Sequence, residues 1–351
     1  MAPIAKEVKK ALNESKTKIM PTDKDELHII IGERIRKYGW ECDLNDIDVS
    51  KITDMSGLFY DSHFNGNISK WDVSNVIDMS HMFYMSRFNG DISEWNTKNV
   101  KNMEGLFEYS SFNGDISKWD VSNVVTMKRM FEHSGFNGDI SEWNVGNVKD
   151  MSYMFSCSAF DNDISKWDVS NVRNMSFMFE HSSFDRNILN WNVSNVEDMS
   201  YMFAHSKFNH HLYKWRTCSV KNMRKMFYMS KFNMMIYNWN VSNVSDMSEM
   251  FAASDFSEDI SSWNVEYCNT ENMFDFAHHM REQNMPPAVS GYSKANWRHS
   301  SGGGGGRRDD AWKPQIPNNH KTGDWTRDYG PEPYTSSYPY DEKSTAGYRI
   351  L

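Results

Sequence analysis

Four side chains that bind soft or borderline metals recur at one spacing: His133, Cys157, His181 and His205 are each 24 residues apart. If every 24-residue unit forms one coil, neighbouring donors lie about 4.8 Å apart, within reach of a shared zinc or copper ion. Other units carry different side chains at this position: Asp61, Met85, Tyr109, Met229 and Ala253. This variety favours a semi-exposed slot over a metal centre, and we expect no cofactor.

An invariant serine follows this position in every unit, from Ser62 to Ser254. A nucleophilic serine needs a base and an orienting acid, and no pair of His and acid recurs with these serines. A hydroxyl that bonds to the backbone of its own turn explains the pattern without chemistry. The sequence has no Gly-rich phosphate loop and no zinc-protease helix. We therefore expect a protein that is not an enzyme.

The unit that positions these side chains is 24 residues long and repeats without insertion. Its tryptophans mark nine copies: Trp71, Trp95, Trp119, Trp143, Trp167, Trp191, Trp215, Trp239 and Trp263. A strict period of this size is typical of a solenoid, in which each unit buries its apolar face against its neighbours.

Within one unit, two apolar patterns follow each other. Ile68, Trp71, Val73 and Val76 have the spacing that surrounds the short strand of leucine-rich repeats, with Trp71 and Val73 pointing inward. The segment from Asp78 to Phe83 has an N-cap residue followed by apolar residues at i, i+3 and i+4, which predicts a short helix. The expected fold is therefore α/β: a leucine-rich-repeat-like solenoid of nine coils, each with a short parallel strand and a short helix.

Three regions are predicted along the chain. Residues 1–46 contain N-terminal helices that cap the solenoid, because Leu27, Ile30, Ile31 and Ile35 lie on one face of a helix ended by Gly39. Residues 47–284 form the solenoid. Residues 285–351 are rich in Gly, Pro and Tyr without an apolar period, which is typical of a flexible extended tail. Its aromatic residues are candidate anchors on a partner: Trp312, Trp325, Tyr334 and Tyr338.

Outward-facing columns of the solenoid are candidate binding surfaces. One column begins Lys70, Glu94, Lys118, and another begins Asp72, Asn96, Asp120. Alternating charges in stacked coils attract, so the alternation is a structural device as well as a surface feature. A face that carries both signs does not fit nucleic acid, which favours a basic stripe with exposed aromatics.

The seventh and eighth units depart most from the repeat. Met234, Met235 and Tyr237 stand on a turn that is polar in other units. Exposed apolar side chains of this kind predict a partner contact.

Composition narrows the setting. The 351-residue chain carries a net charge of −9 and contains no apolar run long enough to span a membrane. Its N-terminus lacks the apolar core of a signal peptide. The four cysteines are scattered without a metal-finger spacing, which favours reduced thiols inside a cell. We expect an intracellular or virion location.

The lead-in CDLNDIDVSKITDMSGLF (residues 42–59) and the repeat core WDVSNVxDMSxMFxxSxFNGDIS resemble the BspA-like bacterial surface protein repeat family. The resemblance covers about residues 22–275. Members of that family occur on bacterial surfaces, in protists and in large DNA viruses of protists. The resemblance implies a binding or structural role without catalysis. This chain departs from the bacterial members because it lacks a signal peptide, a lipobox cysteine and a wall anchor.

The first hypothesis is a scaffold that binds other proteins within a larger assembly, as a structural component associated with a virion or capsid. A small-molecule ligand is not expected. One alternative is a surface adhesin that binds host or neighbouring-cell proteins. Another is a metal-binding protein that uses the column of His and Cys residues.

Overall fold

The computed structural model describes residues 19–289. Its helices in this range are one α-helix, α1 at Lys24–Tyr38, and one short 3-10 helix at Glu282–Asn284. No strand is present among these residues, and single parallel bridges join each unit to the next. The bridges link, in order, Asp54, Asp78, Asn102, Thr126, Asp150, Asn174, Asp198, Asn222, Asp246 and Asn269.

Each unit is one coil of the solenoid that the tryptophan spacing predicts. Backbone N–H groups at alternate residues donate to carbonyls of the next coil. The donors in one coil are Met79, His81, Phe83 and Met85, and their N–H to carbonyl bonds are 2.8 to 3.0 Å long. The same bonds recur one unit further along, for example from Phe107 to Met130 at 3.0 Å. The coils are thus stacked in register, one 24-residue unit on another.

The predicted composition of each coil, a strand plus a helix, is wrong. In place of the helix stand consecutive tight turns, closed by N–H to carbonyl bonds such as Met82 to Met79 at 3.2 Å. His81 and Met85 have φ of 52° and 51°, in the left-handed region. A right-handed α-helix requires a negative φ at every residue, so it cannot include these two. The left-handed conformation costs an L-residue about 1 to 2 kcal/mol. Here their N–H groups bond to the next coil, which holds the turns in place.

The predicted strand is absent for a related reason. Trp71 and Val73 are buried and Asp72 is exposed, so the predicted alternation of side chains is correct. The backbone there makes no ladder, because the Asp72 carboxylate accepts the N–H of Ser74 at 3.0 Å and turns the chain. Side chains join the coils instead: the Asn75 amide donates to the Ser50 carbonyl at 2.8 Å.

The core consists of columns of like side chains. Phe83 stacks on Phe59 and Phe107, with ring centroids 5.5 and 5.6 Å apart. The tryptophan rings form a parallel column, and the indole N–H of Trp119 donates to the Ile92 carbonyl of the preceding coil at 3.0 Å. Methionines fill the remaining core positions, and those in the columns that begin with Met55 and Met82 are fully buried. The many methionines therefore have a packing role.

Helix α1 covers the first coils. It begins after Asp23, whose carboxylate accepts the N–H of Glu26 at 2.9 Å, and Gly39 follows its end with φ of 86°. Its buried residues are Leu27, Ile31 and Ile35, and Ile30, the fourth residue of the predicted face, is partly buried and packs against the core.

The last coil is closed by a shorter cover. Phe274 and Met280 are buried there, whereas Phe276 is 68% exposed and lies outside this cover. Within residues 19–289, no helix is long and apolar enough to cross a bilayer. Most of the predicted tail, residues 285–351, lies outside the described residues. The predicted anchors are among the residues outside: Trp312, Trp325, Tyr334 and Tyr338.

Candidate functional site

In the column that contains His133, Cys157, His181 and His205, aromatic rings of neighbouring coils stack on each other. His181 and His205 lie face to face, with centroids 4.0 Å apart and planes 10° apart, and Tyr109 stacks on His133 at 4.3 Å. Parallel rings do not converge their nitrogens on one ion. Among the residues that the structure describes, no group of three or more His, Cys, Asp or Glu side chains could hold a metal.

Electrostatics in this column favour neutral side chains. Loss of hydration, with Arg129 nearby, lowers the pKa of His133 to about 4, and loss of hydration next to His181 lowers that of His205 to about 4. Burial raises the pKa of the Cys157 thiol to about 12, so the thiolate that metals and electrophiles require is scarce at neutral pH.

A second ladder of rings runs beside this column. Tyr153, Phe177 and Tyr201 stack with centroids 4.3 Å apart, and the Arg129 guanidinium lies 4.2 Å from the Tyr153 ring. At the other end, the Lys225 ammonium lies 5.5 Å from the Tyr201 ring. Cations placed over ring faces stabilise both ends of the ladder. The sequence analysis missed it, although the 24-residue spacing of its aromatic residues was a usable signal.

Between the two ladders lie buried carboxylates that the sequence analysis also missed. Glu108 and Glu132 share one guanidinium: Arg129 lies 2.6 Å from Glu132 and 3.6 Å from Glu108. Burial, with Glu132 close by, raises the pKa of Glu108 to about 8, while Arg129 and Lys128 oppose the shift. Burial also raises the pKa of Glu132 to about 7, and its closer contact with Arg129 limits that rise. We infer that Glu132 is the more readily ionised partner of Arg129 and that Glu108 is largely protonated at neutral pH.

The serine column has the structural role that the sequence predicts. In each of these coils the Ser hydroxyl oxygen accepts the N–H of the Phe two residues later, for example Phe88 to Ser86 at 3.1 Å. The same bond recurs from Ser62 to Ser254. These hydroxyls are occupied by their own turns.

The predicted charged columns are exposed, and their charges are largely engaged locally. Lys118 pairs with Glu94 at 2.8 Å, one coil apart. Asp120 accepts the N–H of Ser122 at 3.0 Å, as Asp72 does for its own turn, and Asn96 accepts the N–H of Lys98 at 3.3 Å. The side chain of Lys70 is exposed in the same column. The side chains of these columns therefore serve mainly to stabilise turns and contacts between coils.

An exposed apolar patch interrupts this polar face in three consecutive coils. Its members are Leu189, which is partly buried, and the exposed Tyr213, Met235 and Tyr237; we call them the aromatic patch. Tyr213, Met235 and Tyr237 are 43%, 48% and 58% exposed. The patch contains two of the three residues predicted there; Met234 instead is partly buried and packs against the core.

Cationic and amide side chains border the aromatic patch. They line a shallow depression of about 330 Å³: Leu189, Asn190, Trp191, Asn192, Ser194, Lys214 and Arg216. Lys214 donates to Asn190 at 2.9 Å. Arg216 has no hydrogen bond or ion pair within residues 19–289. The edge of the patch is therefore suited to an anionic or polar group.

A family profile described as Mycoplasma protein of unknown function, DUF285, matches residues 35–135, 110–215 and 204–289. Together the three matches span more than half of the chain. The chain belongs to the DUF285 family. Comparisons with curated proteins and with solved structures each found no match.

Membership of DUF285 supports a repeat protein and corrects finer expectations. The family description carries no activity, and it does not include the BspA-like name. The leucine-rich-repeat description is wrong, because the described coils have neither its strand nor its helix. Neither the family match nor the structure supports association with a virion or capsid, and that expectation is dropped.

The three DUF285 matches place the candidate site within the repeats. Leu189 and Tyr213 lie in the second matched segment, and Met235 and Tyr237 lie in the third. The aromatic patch is thus a local variation of the repeat surface on an unchanged coil, since Trp191, Trp215 and Trp239 remain buried beneath it.

Proposed function

We propose that this DUF285 chain is a non-enzymatic repeat protein that binds other proteins through the aromatic patch. One observation carries the proposal. The position that is Ser in six other coils, such as Ser93 and Ser117, is Leu189, Tyr213 and Tyr237 in three consecutive coils. The fold does not require these side chains, because the same coil forms with Ser.

The chemistry of the patch supports a protein partner. Tyr has a large apolar area with few rotatable bonds, and it is enriched among the residues that dominate binding energy. Met has a large apolar area and a side chain that adapts its shape to a partner. Lys214 and Arg216 at the edge provide a polar rim. The resemblance to BspA-like repeats also supports a binding role. The four cysteines are free thiols, which favours a reducing compartment.

Site-specific crosslinking tests the proposal. A photoreactive phenylalanine at Tyr237, in full-length protein expressed in its native cells, should form adducts with protein. The matched control is Tyr267, which is 90% exposed and lies outside the patch. Adducts at Tyr237 that are absent at Tyr267 support docking by the patch. No protein adduct, or the same adducts at both positions, contradicts it.

Truncation provides a second readout. Tyr213→Ser and Tyr237→Ser restore the residue that other coils carry and should not disturb the fold. Loss of a central aromatic contact typically costs about 2 kcal/mol or more of binding free energy, so the dissociation constant should rise at least tenfold for each. Unchanged affinity in both variants would refute the proposed role of the patch.

A further inference from the structure

Charge changes sign along one face of the solenoid. Two residues before Ser93 stands Asp91, and the next three coils carry Asp115, Asp139 and Asp163 at the same position. Each accepts a backbone N–H from a serine two residues on, which keeps the pKa of these carboxyls below its usual value and the groups ionised. We call these four residues the aspartate column. In the following coils the column continues as Asn187, His211 and Met235, and it returns to aspartate only in the last coil, at Asp259.

A neighbouring column changes in the same way. Asp72, Asp120 and Asp168 occupy the N-terminal half, and Arg216 occupies the C-terminal half. The lysines two residues before these aspartates do not reverse the sign. Lys118 pairs with Glu94 and Lys166 with Glu142, at 2.8 and 2.6 Å, which leaves Lys70 against the seven aspartates of the two columns. One half of the face is therefore anionic, and the other carries the Arg216 guanidinium, which has no ion pair within residues 19–289.

Side-chain size changes together with charge. Ser93, Ser117, Ser141 and Ser165 stand in the anionic half where Leu189, Tyr213 and Tyr237 stand in the other half. These columns share one face, since the depression is lined by Leu189, Lys214 and Arg216 together and the His211 ring lies 5.8 Å from the Tyr213 ring. The face thus has a small, acidic half and a large, cationic half.

These two halves are complementary to each other. A two-fold axis perpendicular to the solenoid axis places each column opposite the same column of a second copy, with the coil order reversed. Tyr213 and Tyr237 then meet serines, and Arg216 and His211 meet aspartates. A two-fold axis parallel to the solenoid would instead place the acidic half against the acidic half and the aromatic half against the aromatic half, which like charges disfavour.

We propose that the partner of the aromatic patch is a second copy of this chain, which docks antiparallel through the same face. This inference rests on the proposed docking function and assigns its partner. The aromatic patch of each copy covers the serine and aspartate columns of the other. Every contact occurs twice, as in any isologous dimer.

The experiment is sedimentation velocity of the full chain at several concentrations and salt levels. The wild type should dimerise, and added salt should weaken the dimer because charge pairs at the rim are screened. Tyr213→Ser with Tyr237→Ser should raise the dimer dissociation constant at least tenfold. The control Tyr267→Ser should leave it unchanged. A wild type that stays monomeric across the range overturns the inference.

A separate pair of substitutions tests the role of the acidic half. Asp115→Asn with Asp139→Asn removes two charges and keeps the oxygen that accepts the serine N–H, as Asn187 does for Leu189 at 3.0 Å. This variant should fold normally, dimerise at least tenfold more weakly and lose part of the salt dependence. Wild-type dimerisation in this variant would contradict the antiparallel pairing.

Crosslinking separates this inference from the proposed function. Tyr237 and Ser93 are six coils apart, about 29 Å along one solenoid at a rise of about 4.8 Å, so an adduct between them must join two copies. A crosslinker at Tyr237 that attaches to residues 91–144 supports the antiparallel dimer. Attachment to the aromatic patch of the second copy overturns the geometry. Attachment to a different protein overturns the second copy as partner and leaves the docking function standing, while no adduct contradicts both.

Discussion

At the scale of single residues, Glu108 is the most unusual titrating group. It is 5% exposed and lies 3.8 Å from the His81 ring nitrogen, and its Arg129 neighbour is closer to Glu132. A carboxyl that is buried with an incomplete ion pair holds its proton. Its pKa of about 8, against an ordinary 4.5, links protonation to folding.

The pH dependence of stability follows with a definite sign. Between pH 4.5 and about 8 the native state holds a proton on Glu108 that the unfolded state releases, so the free energy of unfolding falls as pH rises. His133 and His205, with pKa about 4, act oppositely and only below about pH 6.5. Burial also raises the pKa of Glu132 and of Glu180 to about 7, so both carboxyls act in the same direction as Glu108. Stability should therefore decline from pH 6.5 to 8, and Glu108→Gln should reduce that decline, most between pH 7 and 8. Urea unfolding at several pH values measures both.

The control for this prediction is Glu94→Gln. Glu94 is an exposed partner of Lys118, and its substitution should leave the slope between pH 6.5 and 8 unchanged. If Glu108→Gln has the wild-type slope, Glu108 is ionised in the native state.

Left-handed residues are the second feature at this scale. Ala253 has φ of 55°, whereas Ala159 is not among the residues of positive φ. Glycine relieves the cost of a left-handed L-residue and elsewhere loses conformational entropy. Ala253→Gly should be neutral to stabilising by up to about 1 kcal/mol, and Ala159→Gly should destabilise by about 0.5 to 1 kcal/mol. Thermal unfolding of the pair measures the difference, and equal losses would contradict the assigned backbone.

At the scale of elements, helix α1 protects the end of a solenoid whose coils cannot stand alone. Lys24 also ties it to a coil, through Ser56 at 2.8 Å and Asp54 at 3.1 Å. Leu27→Ala should cost about 2 to 5 kcal/mol, because the residue is fully buried. Ile29→Ala on the same helix, at a 61% exposed position, should stay within about 0.5 kcal/mol. Urea unfolding compares them; equal effects would mean that α1 does not cover the core.

At the scale of the whole molecule, stability depends on contacts between neighbouring coils. Phe155 stacks with Phe131 and Phe179 in the coils on either side, with centroids 5.7 and 5.9 Å apart. Within residues 19–289, the ring of Phe274 in the last coil stacks on one side, with Phe251 at 5.7 Å. Nearest-neighbour coupling of this kind makes the centre more sensitive than the end.

Substitution at the two sites should separate these roles. Phe155→Ala should cost about 3 to 5 kcal/mol and expose amides in both flanking coils to hydrogen exchange. Phe274→Ala should affect mainly the final coil. A uniform loss of protection along residues 19–289 in both variants would show that the solenoid unfolds as one unit.

The sequence by itself determined the period, the inward columns and the covering helix, because burial of apolar side chains leaves a direct mark on residue spacing. It also predicted that Met235 and Tyr237 would be exposed. It could not determine the backbone path. The spacing i, i+3, i+4 suits a helix, yet tight turns with left-handed His81 and Met85 satisfy it equally, and only bonds between coils select them. Tertiary stacking likewise decided that His181 and His205 lie face to face and that Glu108 shares Arg129, because those contacts join residues on different coils.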